Sequence, residues 1–246
     1  MIQLSLVGIG TGHPKHLTFQ AAEALRAADI VLIPEKGEDK ADLADLRRAI
    51  AGEVLGDVSK LRPFPLPVRD PAIPDYEARV SDWHDRIARV WDEAIGPGPA
   101  KVALMVWGDP SLYDSTLRIA ERLAAVRSAS VEVIPGVTSI QALCAAHRIP
   151  LNEVGKPFLV TTGRRLRDEG WPVSADTVVV MLDAGGAFEA IAPEGVTIWW
   201  SAYAGMAEEI LIAGPLPEVS ARILDTRAAA RARHGWIMDI YLMRRA

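Results

Sequence analysis

The chain has 246 residues, half of them hydrophobic, which is enough to build one large or two medium cores. A formal net charge of −5 removes any general attraction to nucleic acid or anionic lipid, so only a local basic cluster could recruit such a partner. A lone cysteine excludes an internal disulfide, and no apolar run approaches the roughly 18 residues of a membrane span.

Ile2 to Val7 has the composition of a buried first strand and opens the chain without a basic leader and cleavage site, so the expected location is cytoplasmic. The strand runs into Gly8-Ile9-Gly10-Thr11-Gly12-His13-Pro14, where glycines at alternate positions allow a tight turn close to a ligand. The spacing is not G-x-G-x-x-G, and no acidic residue stands where a ribose reader would, so a nicotinamide cofactor is not expected. Thr18 is placed to cap a helix whose apolar face is Leu17, Ala21, Ala24, Leu25 and Ala28. Asp29 to Pro34 reads as a second strand, and Lys40 to Ile50 as a charged helical stretch with a solvated face. Pro63, Pro65, Pro67, Pro71 and Pro74 predict an extended loop, after which Tyr76, Val80, Trp83, Ile87, Val90, Trp91 and Ala94 mark the core-facing stripe of a long helix. Gly96-Pro97-Gly98-Pro99 ends that helix.

Lys101 to Val106 is the next buried strand, and Leu112, Thr116, Ile119, Ala120 and Leu123 recur at helical spacing beyond it. The intervening Trp107-Gly108-Asp109-Pro110 is therefore a strand-to-helix turn, the place where open α/β sheets bind small ligands. Gly108 lets another molecule approach the backbone, Asp109 can accept from ribose hydroxyls or from orphan amides, and Pro110 suits a first helical turn. Val131 to Ile134 reads as a strand closed by Pro135-Gly136-Val137-Thr138-Ser139, a possible second ligand loop in which helix capping alone would also account for the hydroxyls. The following helix, Ile140 to Ala146, holds Cys144 as a core residue. The prolines and glycine between Ile149 and Pro157 suggest a domain boundary, giving an N-terminal α/β domain over 1–150 and a C-terminal α/β domain over 151–246. Strands are expected at Phe158 to Thr161, Thr177 to Leu182, Val196 to Trp200, Ile210 to Ala213 and Trp236 to Met243, with helices near Ala187 and from Pro217 to Arg233. Strands outnumber helices in this half, which predicts a mixed sheet unlike the mostly parallel first one.

Taken together, Val7 to Gly12, Trp107 to Pro110 and Ile134 to Ser139 resemble, in order and spacing, the motifs of the tetrapyrrole methylases. The blocks Trp107 to Thr116, Thr162-Gly163-Arg164-Arg165-Leu166, Val180-Met181-Leu182-Asp183 and Gly235 to Leu242 extend the resemblance over essentially the whole chain. It implies the two-domain tetrapyrrole methylase fold, a homodimer, and S-adenosylmethionine bound in the cleft between the domains and released as S-adenosylhomocysteine. Carried over by position, the cofactor contacts are Thr11, Trp107, Gly108, Asp109, Leu112, Thr138, Ser139, Met181 and Ala204, with Trp236 on the last strand a weaker match. The family's usual proline and aspartate in the first loop are here Thr11 and His13.

The branch of the family most resembled works in cobalamin biosynthesis, methylating a ring carbon of precorrin-5 and releasing the macrocycle's acetyl group as acetate. Methyl transfer from a sulfonium to an electron-rich carbon needs alignment and exclusion of water more than a strong base. The sequence accordingly shows no triad spacing and no metal-ligand cluster among its five histidines. Acetyl loss needs a water and a proton carrier, for which Tyr113, His13 and Asp183 are candidates. Arg164, Arg165 and Arg167 could meet the carboxylates of a small-molecule tetrapyrrole, or could form a solvated basic loop. Two further readings stand beside this one: a methylase of ribosomal RNA or of a protein, and a non-catalytic S-adenosylmethionine sensor. A tetrapyrrole enzyme of this kind needs neither a nucleic-acid nor a membrane partner.

Overall fold

The first sheet is assembled around a strand buried on both faces. In the computed structural model, which describes residues 1–35 and 41–245, β1 (Ile2–Gly8), β2 (Ile30–Glu35), β3 (Leu61–Pro65), β4 (Ala100–Val106) and β5 (Ala129–Ile134) form one sheet in the order β3-β2-β4-β1-β5. Every pairing in it is parallel. Alternation along β4 shows why its sequence is continuously apolar: Val102, Leu104 and Val106 enter one core while Ala103 and Met105 enter the other. Helices α3 (Tyr76–Ile95) and α4 (Thr116–Val126) supply Ile87, Trp91, Ile119 and Leu123 to the first of these cores. Helices α1 (Phe19–Ala27) and α2 (Ala41–Leu55) supply Ala21, Leu25, Ile50 and Ala51 to the other. Thr18 caps α1 as expected, accepting from Ala21 N at 3.0 Å.

Three sequence expectations change in this half. The proline-rich stretch begins with a strand, β3, because an edge strand tolerates prolines that a central one could not; Pro63 and Pro65 pair in register with Ile33 and Glu35 of β2. Helix α4 starts at Thr116, so Pro110 lies in the preceding turn and not in a first helical turn. The stretch read as helical from Lys40 is helical from Ala41, residues 36–40 lying outside the described ones, and it is not a purely solvated face, since Ala44, Ile50 and Ala51 are buried.

The second sheet is mixed. Strands β6 (Phe158–Thr162), β7 (Thr177–Met181), β8 (Val196–Ala202), β9 (Ile210–Pro215) and β10 (Asp239–Arg245) lie in the order β6-β7-β10-β8-β9, with β6 and β7 parallel and the other pairs antiparallel. Val178, Val180, Phe188, Trp200, Ile223 and Tyr241 form its core, with α7 (Leu216–His234) packed on it. The chain divides into Met1–Thr138 and Ser139–Ala246, not after residue 150, because α5 (Ser139–His147) packs on β8, β9 and β10. Arg164, Arg165 and Arg167, for which a solvated loop is one of two readings of the sequence, stand on a helix, α6 (Gly163–Glu169), which Thr162 caps. Trp236 precedes β10, in the turn that Gly235 makes with φ 72° at the end of α7. Among the described residues no helix is long and apolar enough to cross a membrane.

Candidate active site

Three loops at the carboxyl ends of β1, β4 and β5 meet backbone against backbone. Gly10 and Gly108 form an antiparallel bridge, Gly108 N donating to Gly10 O at 2.8 Å and Gly10 N to Gly108 O at 3.3 Å. A Cβ on Gly8 would stand 2.6 Å from Gly136 N and 2.8 Å from Gly108 O, and one on Gly136 would overlap Gly108 O. Only residues without side chains permit this approach. Gly108 is different: its φ of 65° favours glycine, and a Cβ there would meet nothing within 4 Å, so its open side is available to another molecule.

Asp109 fastens the junction. Its Oδ2 accepts from Gly136 N at 2.8 Å, and its Oδ1 accepts from Ser111 N at 2.8 Å and Ser111 Oγ at 2.5 Å. Burial works to raise its pKa, but the Ser111 and Gly136 hydrogen bonds outweigh it and hold the carboxyl below the usual range. Of the two uses open to Asp109 in the sequence, the structure shows the orphan amides taken up.

Around this junction lie the other first-unit candidates. Thr11 is buried, its hydroxyl 2.9 Å from His16 Nδ1. His13 is exposed and caps the short 3-10 turn Pro14–His16, its Nδ1 accepting from Lys15 N at 3.0 Å, which puts the proton of the neutral ring on Nε2. Leu112 is half-buried, with its N–H donating to Asp109 O at 3.3 Å. Tyr113 is 46% exposed and has φ 49°, an uncommon conformation for a bulky residue. Thr138 is half-buried two residues beyond Gly136 and closes the first unit, while Ser139 opens the second as the first residue of α5.

In the second unit, the carboxyl ends of β6, β7 and β8 lie at one end of the sheet. Met181 ends β7 opposite Thr162, and Ala204 is buried just past β8. Immediately beyond β7 and β8, Leu182 (φ 53°) and Tyr203 (φ 53°) also take left-handed backbone, a feature no sequence pattern announced. Trp236 packs edge-on against Tyr203, with ring centroids 5.0 Å apart, and Tyr203 Oη donates to Trp236 O at 2.7 Å.

Asp183 does not keep its place as a candidate proton carrier. Its side chain is 1% exposed; Oδ1 accepts from Gly185 N at 3.0 Å and Arg167 Nη2 at 3.4 Å, and Oδ2 from Ala187 N at 2.6 Å and Tyr241 Oη at 2.8 Å. A carboxylate so saturated anchors its loop. Burial, reinforced by Asp183, pushes the Tyr241 phenol well above its ordinary range. Arg227 extends the network, donating through Nε to Asp239 Oδ2 at 2.9 Å and through Nη2 to Asp183 O at 2.9 Å. Arg164 and Arg165 are exposed on α6, and Arg165 already holds Glu169 in a two-pronged pair at 3.0 and 2.9 Å.

One residue near the first-unit junction escaped the sequence reading. Arg47, on α2, reaches the end of β4, with its guanidinium carbon 5.6 Å from the Trp107 ring centroid. The signal was an arginine at helical spacing from two alanines that prove buried, Ala44 and Ala51.

Comparison with known proteins agrees with this architecture. The family model of the Tetrapyrrole (Corrin/Porphyrin) Methylases matches residues 3–220. A precorrin-6A synthase [deacetylating] of Sinorhizobium sp is 48% identical over 251 residues, covering 100% of this chain and 96% of its own. The crystal structure of a cobalamin synthesis related protein of Corynebacterium diphtheriae superposes with a TM-score of 0.86 at 36% identity, over 100% of this chain and 99% of that one. At 20% identity, a uroporphyrin-III C-methyl transferase of Thermus thermophilus, complexed with S-adenyl homocysteine, shares the fold with a TM-score of 0.59, over 98% of this chain and 96% of its own. The parallel sheet with its three glycine loops and the mixed second sheet are thus the two halves of a known architecture, and the chain belongs to the tetrapyrrole methylase family.

Proposed function

We propose that the protein is an S-adenosylmethionine-dependent C-methyltransferase of cobalamin biosynthesis that converts precorrin-5 to precorrin-6A, methylating a ring carbon and releasing the acetyl group as acetate. The observation that carries this reading is the end-to-end 48% identity to the Sinorhizobium precorrin-6A synthase. The cofactor would be held by Thr11, Trp107, Gly108, Asp109, Leu112 and Thr138 of the first unit and by Ser139, Met181, Ala204 and Trp236 of the second. The open side of Gly108 fits that assignment, because an adenosine-sized group could lie against the backbone there. S-adenosylmethionine would supply an electrophilic methyl group. Thr11 and Asp109 would contribute mainly by placing backbone, since their oxygens are already engaged by His16, Ser111 and Gly136.

Acetyl release requires a water oxygen to bond to the acetyl carbonyl carbon while the bond from that carbon to the macrocycle breaks and leaves its electron pair on the ring. A proton carrier is needed at both ends of that step. Tyr113 is the candidate best supported, being exposed and in an uncommon backbone conformation, with the exposed His13 second. The homodimer that the family resemblance implies and the expected cytoplasmic location belong to the same proposal.

Anaerobic incubation with precorrin-5 and S-adenosylmethionine, followed by mass spectrometry, tests the reaction. The expected product has gained one methyl and lost the acetyl group, with acetate released in equal amount; an unchanged substrate sinks the assignment. For Tyr113→Phe, most methyl transfer should survive while acetate release slows roughly 100-fold or more, the usual scale for a lost general acid or base. A methylated, still acetylated intermediate should then accumulate. Equal losses in both steps would make Tyr113 an orienting residue.

A further inference from the structure

Arg47 is a half-buried cation that, among the described residues, forms no ion pair. Its Nε donates to Met105 O at 3.4 Å and its Nη1 to Leu43 O at 3.2 Å, long bonds to neutral carbonyls that engage two of its three nitrogens. Burial draws its pKa down to about 10, an effect that Asp114 opposes, so it stays charged at neutral pH. Asp114 faces it, yet Asp114 Oδ1 is committed to Thr116 N at 2.6 Å and Thr116 Oγ at 2.5 Å, and among the described residues no ion pair joins it to Arg47. The adjacent Arg48 shows the contrast: it turns outward and pairs with Glu35 and Asp45. A desolvated guanidinium without a matching carboxylate is costly, and the group that best relieves it is a planar anion. It lies beside Trp107 at the carboxyl end of β4, where ligands of such sheets bind.

We propose that Arg47 is a ligand-binding residue that recognises a carboxylate, either of the tetrapyrrole substrate or of the amino-acid end of the cofactor. The proposal rests on the function assigned above. Both sources present the same chemistry, and paired ligands tell them apart.

The full-length protein and its Arg47→Met and Arg47→Lys variants would be titrated with two pairs of ligands. One pair is S-adenosylhomocysteine and methylthioadenosine, which lacks the amino-acid end; the other is the precorrin and its methyl esters. Arg47→Met should weaken one carboxylate ligand by roughly 10- to 100-fold and leave its carboxylate-free counterpart within about twofold, the scale of a lost charged hydrogen bond. Arg47→Lys, a point charge without the fork, should fall between, and carries the test alone if the methionine variant does not fold. A selective loss in the first pair assigns the cofactor, and one in the second assigns the substrate. Equal losses within both pairs, or no loss in either, overturn the proposal and make Arg47 a packing residue. Failure of the reaction assignment would appear elsewhere, as wild-type protein that binds these ligands but yields no methylated product.

Discussion

At Gly136 and Gly108 an added methyl group meets opposite conditions. On Gly136 it would overlap Gly108 O and come within 2.9 Å of Gly8 Cα, so backbone must move against backbone. Overpacking of that kind costs about 1–3 kcal/mol. On Gly108 it enters open space, and the cost is that of left-handed backbone, about 1–2 kcal/mol. Gly136→Ala should therefore lower the thermal midpoint and disturb the N–H that Asp109 holds. Gly108→Ala should instead lose S-adenosylhomocysteine affinity out of proportion to its stability loss, because the methyl occupies the open side. Scanning calorimetry and ligand titration of both variants check this; wild-type affinity in Gly108→Ala would end the assignment of that side to the cofactor. The sequence marked both positions as glycine, but not which served packing and which served access, since that depends on what lies across from each Cα.

Helix α3, which packs against α4, carries a buried histidine. His84 is 3% exposed, and among the described residues its Nε2 finds no hydrogen-bond partner. Burial lowers its pKa first, then the charges of Arg122 and Arg118 on α4 and Arg69 in the preceding loop, with Asp85 opposing. In the unfolded chain the imidazole titrates near about 6.5, so as pH falls below that value the unfolded state takes up a proton that the folded state refuses. Stability is accordingly full above the unfolded pKa and declines as pH falls toward the folded one. His84→Leu should flatten that decline: between pH 7.5 and 5.5 its melting temperature should drop less than that of the wild type. Identical slopes would show that His84 does not titrate in this way. That α3 is a core helix was readable from its stripe of Ile87 and Trp91, whereas the lowered pKa of His84 comes from its burial and from arginines brought in by α4 and by the proline-rich loop.

Across the whole molecule, legibility followed the range of the interaction that decides each feature. Strands such as β4 and helices such as α1 are written locally, in continuous apolar runs and in a capping threonine, and they stand where the sequence put them. Edge position, which admits Pro63 and Pro65 to β3, is a property of the assembled sheet, as is the destination of α5 on β8, β9 and β10. The candidate site shows the same division. Gly108 and Asp109 were visible as a motif, but the saturation of Asp183 by donors from Gly185, Ala187, Arg167 and Tyr241 was not, and neither was the placing of Arg47 beside Trp107. The clasp that Asp109 makes between its own loop and Gly136 has one more consequence, for entropy and rate. Ordering a loop residue costs about 1–2 kcal/mol, and here that loss falls on folding, because the clasp is internal to the protein. A ligand arriving at Gly108 meets a surface already set, so on this side its association should be governed by encounter and desolvation, with no slow loop-ordering phase.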